Sequence, residues 1–402
     1  MASIHRMLPG PTMPSRRPQA LAARLAARVS WWHPALGALV ALLAVTFWQP
    51  RAPMGVDFHT YLAAAEVGMS QGWGHIYDQV RVATVERQLV PSEVAQPFLS
   101  PPPVAWLAVV VSPLPFVVAY VAWAGALVIG LVVALSWAAR GPVATRLVLA
   151  LAVAATSWVM LATQVGQVVL LVAIGVVVGW RLLRDERDFA AGLALSLVIF
   201  KPNTAVLVPL ALLVAGRYRA VAGISVVGAG ILAVELLTAG PLGLSRYVAE
   251  LAGPLPSGAG ALTLHGALGI DGGAATAARL AIVGATLVGA RRLRGRPGFL
   301  LAAAVVGSLL VAPYLHTSDL SMLVVAAWLL WQESSAVAWR LTLAGGWLVA
   351  APLSTLVRVW PSVNRWPLAE LGILAAVIIS ASPEARRGTG DAGGDPGLTD
   401  VS

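Results

Sequence analysis

Lys201 is the only lysine in a chain that carries 26 arginines. It lies between two short apolar runs and directly precedes Pro202. An ionisable group among apolar residues at membrane depth is costly and is kept where it faces a cavity or a partner. An ammonium in such a place suits a phosphate as a point charge, whereas the plain alternative is a lysine snorkelling from a helix end. Asp57 opens a stretch in which Asp57, Tyr61 and Ala64 or Ala65 share one face if helical. A carboxylate whose pKa is raised by burial can take the proton from an attacking hydroxyl; the plain alternative is a helix N-cap. His316, within Val311-Ala312-Pro313-Tyr314-Leu315-His316-Thr317-Ser318-Asp319, stands at a turn between two apolar runs. It can donate to a phosphate, contact a sugar, or serve as an ordinary interfacial histidine. Gln164 and Gln167 flank Gly166, and their amides suit sugar hydroxyls or helix-to-helix bonds. His59 and His75 share one loop without convincing metal spacing, so no metal is expected. The chain has no cysteine, which excludes disulfides, thiolate metal sites and cysteine nucleophiles.

The elements that must position these residues follow from composition. Of 402 residues, 58% are apolar and 11% charged, and the mean hydropathy is +0.80. That excludes a soluble enzyme, a nucleic-acid-binding domain and a disordered chain, and leaves an all-α polytopic membrane protein. The net charge of +9 is read as arginine in cytoplasmic loops, not as a nucleic-acid surface. Apolar runs at about 34–48, 115–139, 146–163, 165–180, 189–200, 203–215, 220–238, 274–290, 298–315, 319–333, 337–356 and 366–381 give about twelve transmembrane or re-entrant helices. Both termini then lie in the cytoplasm, with 19 arginines inside and seven outside. The runs 189–200 and 203–215 are of about 12 residues each and reach only about 18 Å, short of a core of about 30 Å. A broken or re-entrant pair with its apex at Lys201 inside the protein fits better than two full spans. The expected organisation is a basic cytoplasmic tail over 1–30, one transmembrane domain over 31–385 and a disordered tail over 386–402. Outer loops fall at about 49–114 and 239–273, the first with a helical stretch through Met69 and a short helix at 104–112.

The order of these pieces resembles glycosyltransferase family 87, over about residues 50–335. The matching residues are Val56-Asp57-Phe58 with Tyr61, Gly74-His75-Ile76-Tyr77-Asp78, Pro97-Phe98 with Pro101-Pro102-Pro103, Gly166-Gln167 and Phe200-Lys201-Pro202. Ser100 stands where an aromatic is common, and Val169 where Asn is often found. The resemblance implies the C-type glycosyltransferase fold in a plasma (inner) membrane, with the active site on the outer face. It implies transfer of a sugar, mannose above all, from a polyprenyl-phosphate donor to a hydroxyl of a glycolipid or glycan acceptor, by inversion. Asp57 carries over as the general base. Lys201 and His316 are expected at the donor phosphate, and Tyr61, Gln167, His59 and Tyr77 at the substrates, with no cofactor. The alternatives are an arabinofuranosyltransferase of the same family and a lipid or sugar transporter. A transporter would favour repeats with paired broken helices, and only one broken pair is evident.

Overall fold

The computed structural model describes residues 54–91, 94–253, 262–334, 337–350 and 366–380. Every regular element among them is helical. The expected first span at 34–48 and both terminal tails lie outside the described residues. The first expected outer loop holds α1 (Val56–Gln71), α2 (Gln79–Leu89) and α3 (Pro102–Val109). After it come α4 (Phe116–Ala138), α5 (Val143–Ala154), α6 (Ser157–Val165) and α7 (Val169–Arg184). The broken pair follows as α8 (Asp188–Leu195), 3-10 turns at Ser196–Phe200 and Pro202–Thr204, and α9 (Leu207–Val214). Then come α10 (Tyr218–Thr238), α11 (Gly240–Ala252), α12 (Leu264–Leu268), α13 (Gly272–Arg292) and α14 (Pro297–Val311). A 3-10 turn at Thr317–Leu320 leads into α15 (Ser321–Glu333), and α16 (Val337–Ala350) and α17 (Trp366–Ile379) complete the set.

Two kinds of apolar helix make up the body. α4, α10 and α13, with 23, 21 and 21 residues, are long and apolar enough to cross a bilayer, and only 22–33% of their apolar windows is buried. At 1.5 Å per residue they reach about 31–34 Å, the thickness of a hydrocarbon core. α14 has 15 residues, and every one from Gly298 to Leu310 is buried; its apolarity all round serves a protein interior. α15 packs along it and is nearly as buried. The run expected as a single span at 146–163 is a pair, α5 and α6, bent by 67°. The break falls at Ala155-Thr156, where Thr156 takes an extended conformation ahead of Ser157. Counting that pair as one, up to four full-length spans occur among the described residues, fewer than the apolar runs alone had implied.

The arginine loops are tied together at one end of the body. Arg217 pairs with Asp188 at 3.2 Å and donates to the Arg294 carbonyl. Arg296 donates to the Ser380 carbonyl, and the Arg140 amide to Gln332. Glu333 accepts from both the Trp180 indole at 2.8 Å and the Gly298 amide at 2.7 Å. α7, the broken pair, α14 and α15 each run between this end and the segments carrying Gln167, Lys201 and His316. The segments at the far end of these short helices enclose a recess. α8 is held close to α10 at Gly192, where an added Cβ would clash with the Ala220 carbonyl oxygen.

Candidate active site

The recess is a cavity of about 360 Å³ lined by Asp57, Tyr61, Gln167, Lys201 and His316 among others. Three groups of residues build it.

The floor comes from α1 and the turn after α6. Asp57 is not the N-cap of α1; that position is Gly55, with φ 74°, and Asp57 lies in the first turn. There the helix N-terminus favours a carboxylate. The Gln167 amide donates to Asp57 Oδ2 at 2.7 Å, and its carbonyl oxygen accepts from the Tyr61 hydroxyl at 2.7 Å and from the Val168 amide at 3.0 Å. Gln167 is therefore held in one orientation, with its N–H directed at the carboxylate. Gly166 makes this possible: its φ of 74° is left-handed, and a Cβ there would meet the Phe58 Cβ at 2.7 Å. Burial pushes the Asp57 carboxyl above the ordinary aspartate value, and the charges of Lys201 and His316 oppose that rise.

The second group joins the apex of the broken pair to the turn after α14. Lys201 is 8% exposed, and its Nζ stands 3.0 Å from Asp319 Oδ1. The snorkelling reading does not hold, because the ammonium ends on a fully buried carboxylate. Asp319 Oδ2 also accepts the His316 backbone amide at 2.9 Å, so one carboxylate fixes both residues. Asn203 donates to the Tyr314 carbonyl at 3.3 Å and closes the same seam.

The third group comes from the 96–101 segment and α11, which contributes Tyr247, Glu250 and Leu251. Tyr77 locks the two together. Its hydroxyl donates to the Ser100 carbonyl at 2.8 Å, and its ring packs 4.9 Å from that of Tyr247.

Of the residues singled out in the sequence, Asp57, Tyr61, Gln167, Lys201 and His316 meet in the cavity, whereas Tyr77, His59, His75 and Gln164 do not line it. Tyr77 stands behind the wall just described. His59 faces away from Asp57 on α1 and packs edge-on against Phe116, with ring centres 4.6 Å apart. His75 meets Arg246, and no cluster of three metal-ligating side chains occurs among the described residues. Sequence reasoning passed over Asp319, Asn203, Tyr247 and Glu250. Asp319 sits inside a motif already noticed and Asn203 directly after another, and a buried lysine calling for an acid was the available signal. Nothing in the sequence marks Tyr247 or Glu250.

Residues 98–357 match the family model of glycosyltransferase family 87. That is well over half of the chain. The chain belongs to glycosyltransferase family 87. Gln167, Lys201, His316 and Asp319 lie within the family 87 match, whereas Asp57 and Tyr61 precede it. No curated protein and no solved structure matches the chain. Family 87 membership makes the protein a membrane glycosyltransferase with a sugar donor and a glycan acceptor.

Proposed function

We propose that the protein moves a sugar, most simply mannose, from a polyprenyl-phosphate donor to an acceptor hydroxyl, with inversion at the anomeric carbon. The observation that carries this reading is the meeting of Asp57 and Lys201 in one cavity. Asp57 takes the proton as the acceptor oxygen bonds to the anomeric carbon. The bond from that carbon to the phosphate oxygen breaks, and its electron pair leaves with the phosphate. Negative charge then grows on the phosphate in a site shielded from water, where a fixed cation counts for more than in bulk solvent. Lys201 supplies that cation, and the His316 ring a further hydrogen bond. A single displacement requires one base and a stabilised leaving group, not two carboxylates. Incubating membranes that contain the protein with labelled polyprenyl-phosphate mannose tests the reading. A labelled glycolipid or glycan absent from membranes without the protein is expected. Consumption of no lipid-phosphate sugar would sink it.

The same proposal covers the setting: a C-type glycosyltransferase fold of about twelve spanning or re-entrant helices in the plasma membrane. The single catalytic domain runs over 31–385, with both tails in the cytoplasm and the cavity outside. Support comes from the arginine loops gathering at the end away from the cavity. Single cysteines in this cysteine-free chain report sidedness. Gln88→Cys should label from outside and Arg219→Cys from the cytoplasm, and the reverse pattern would invert the threading.

A further inference from the structure

The cavity holds more polar chemistry than the donor requires. Lys201, His316 and Asn203 crowd one wall, and Asp57 with Gln167 occupies the floor. Inversion requires the attacking oxygen to lie in line with the departing phosphate oxygen, on the far face of the anomeric carbon. The acceptor therefore cannot share the wall that grips the phosphate. Thr60 and Tyr61 belong with the floor, and the lining residues next to Lys201 and His316 in the chain, within 200–206 and 311–314, belong with the phosphate wall. What is left is the 96–101 segment with Tyr247, Glu250 and Leu251 of α11.

That wall is built in advance. Gln79 holds the Phe98 backbone from both sides, donating to its carbonyl at 3.2 Å and accepting its amide at 3.0 Å. Tyr77 ties Ser100 to Tyr247 as described above. Glu250 lines the cavity, and its carboxylate makes no hydrogen bond or ion pair with any described residue. Lys201 is already neutralised by Asp319, so Glu250 leaves this wall acidic. An ionised carboxylate beside an aromatic ring suits vicinal hydroxyls, which donate to it, with the ring's apolar face against the aromatic. It repels a phosphorylated or carboxylated sugar placed there.

Building on the proposed transfer, we infer that Tyr247 and Glu250 form the acceptor subsite, and that it takes a neutral polyhydroxyl ring. Glu250 binds the acceptor's non-reacting hydroxyls, while the reacting one reaches Asp57.

The test uses the full chain, purified in detergent, with decaprenyl-phosphate mannose as donor. Octyl α-mannoside and octyl glucoside serve as neutral acceptors, and octyl glucuronide as the anionic one. The wild type should glycosylate at least one neutral glycoside and spare the glucuronide. Glu250→Gln should raise KM for the neutral acceptor about tenfold to a hundredfold, the worth of a hydrogen bond to a charged group, with KM for the donor held. Glu250→Lys should bring the glucuronide into use. An unchanged acceptor KM in Glu250→Gln, a donor KM that rises equally, or use of the glucuronide alone or of no glycoside overturns the inference and leaves donor cleavage intact. A wild type that cleaves no lipid-phosphate sugar, even to water, overturns the proposed function and the subsite together.

Discussion

The two ends of the helical body each hold an acid–base pair of similar length in different surroundings. Lys201 and Asp319 stand 3.0 Å apart with side chains 10% and 0% exposed. Arg217 and Asp188 stand 3.2 Å apart with side chains 26% and 17% exposed. The second pair joins loops where water can share the charge, so it fastens the fold and little else is asked of it. The first is withdrawn from water, where desolvation can outweigh the attraction. Apolar side chains would fill that space at least as stably. A charge kept there invites a chemical reason, and the cavity beside it supplies one.

The largest effect expected at the cavity end is on turnover. Asp57→Asn preserves shape and removes the basic carboxylate, so turnover should fall by about 10²-fold or more, with donor still bound. Single-turnover measurement separates the two, and near-normal transfer would reduce Asp57 to a helix-terminal charge. Stability should move the other way. A carboxyl whose pKa is raised on folding stabilises the fold most below its unfolded pKa. That contribution is lost as pH rises through the folded value. At neutral pH the Asn variant should therefore unfold no earlier than the wild type.

Breaking the buried pair is next. Lys201→Met leaves Asp319 charged and alone, which destabilises by about 3–5 kcal/mol and removes the cation proposed for the phosphate. Lys201→Met combined with Asp319→Asn should recover most of the stability, since Asn still accepts the His316 amide, without recovering transfer. Lys201→Arg should keep partial activity, because charge survives but geometry changes. If the double variant regains transfer along with its melting temperature, Lys201 is a structural residue and the contrast between the two ends disappears.

How much of this was legible beforehand depends on the range of the interaction. The broken pair around Lys201 could be read because its apolar runs are too short for a bilayer. Asp57, Gln167 and Lys201 could be noticed singly, as polar residues at the ends of apolar runs. Their contacts could not, because the Gln167–Asp57 bond spans 110 residues and no local pattern encodes it. α14 and α4 have nearly the same apolar texture; burial by neighbouring helices and exposure to lipid select the same side chains. Only length distinguishes them, which is why apolar runs overstate the full-length spans. The bend at Ala155-Thr156 was marked only by the Thr-Ser pair, a weak helix-start signal inside an apolar stretch. Tyr247 and Glu250 reach the cavity through helix packing, which leaves no sequence motif.

A smaller effect tests the floor. The Gln167 amide donates to the ionised Asp57 and so favours the form that can accept a proton. If Asp57 is the base, activity is lost as pH falls through its pKa, which burial places above the ordinary aspartate value. Gln167→Leu should move the acid limb of kcat/KM to higher pH while leaving a measurable rate at the new optimum. A limb that stays in place would mean that another group sets it.

The smallest effect is expected at the arginine end, and it fixes the scale for the others. Arg217→Ala removes the ion pair with Asp188 and the bond to the Arg294 carbonyl. Partly exposed pairs contribute about 0–1 kcal/mol, and water can solvate Asp188 once its partner is gone. The melting temperature should fall slightly, the loss should shrink as salt is added, and transfer with its pH profile should be unchanged. If Arg217→Ala instead unfolds the protein as severely as Lys201→Met, the loop junction carries more of the fold than exposure implies. Severity at Lys201 would then no longer distinguish a charge kept for chemistry from one kept for structure.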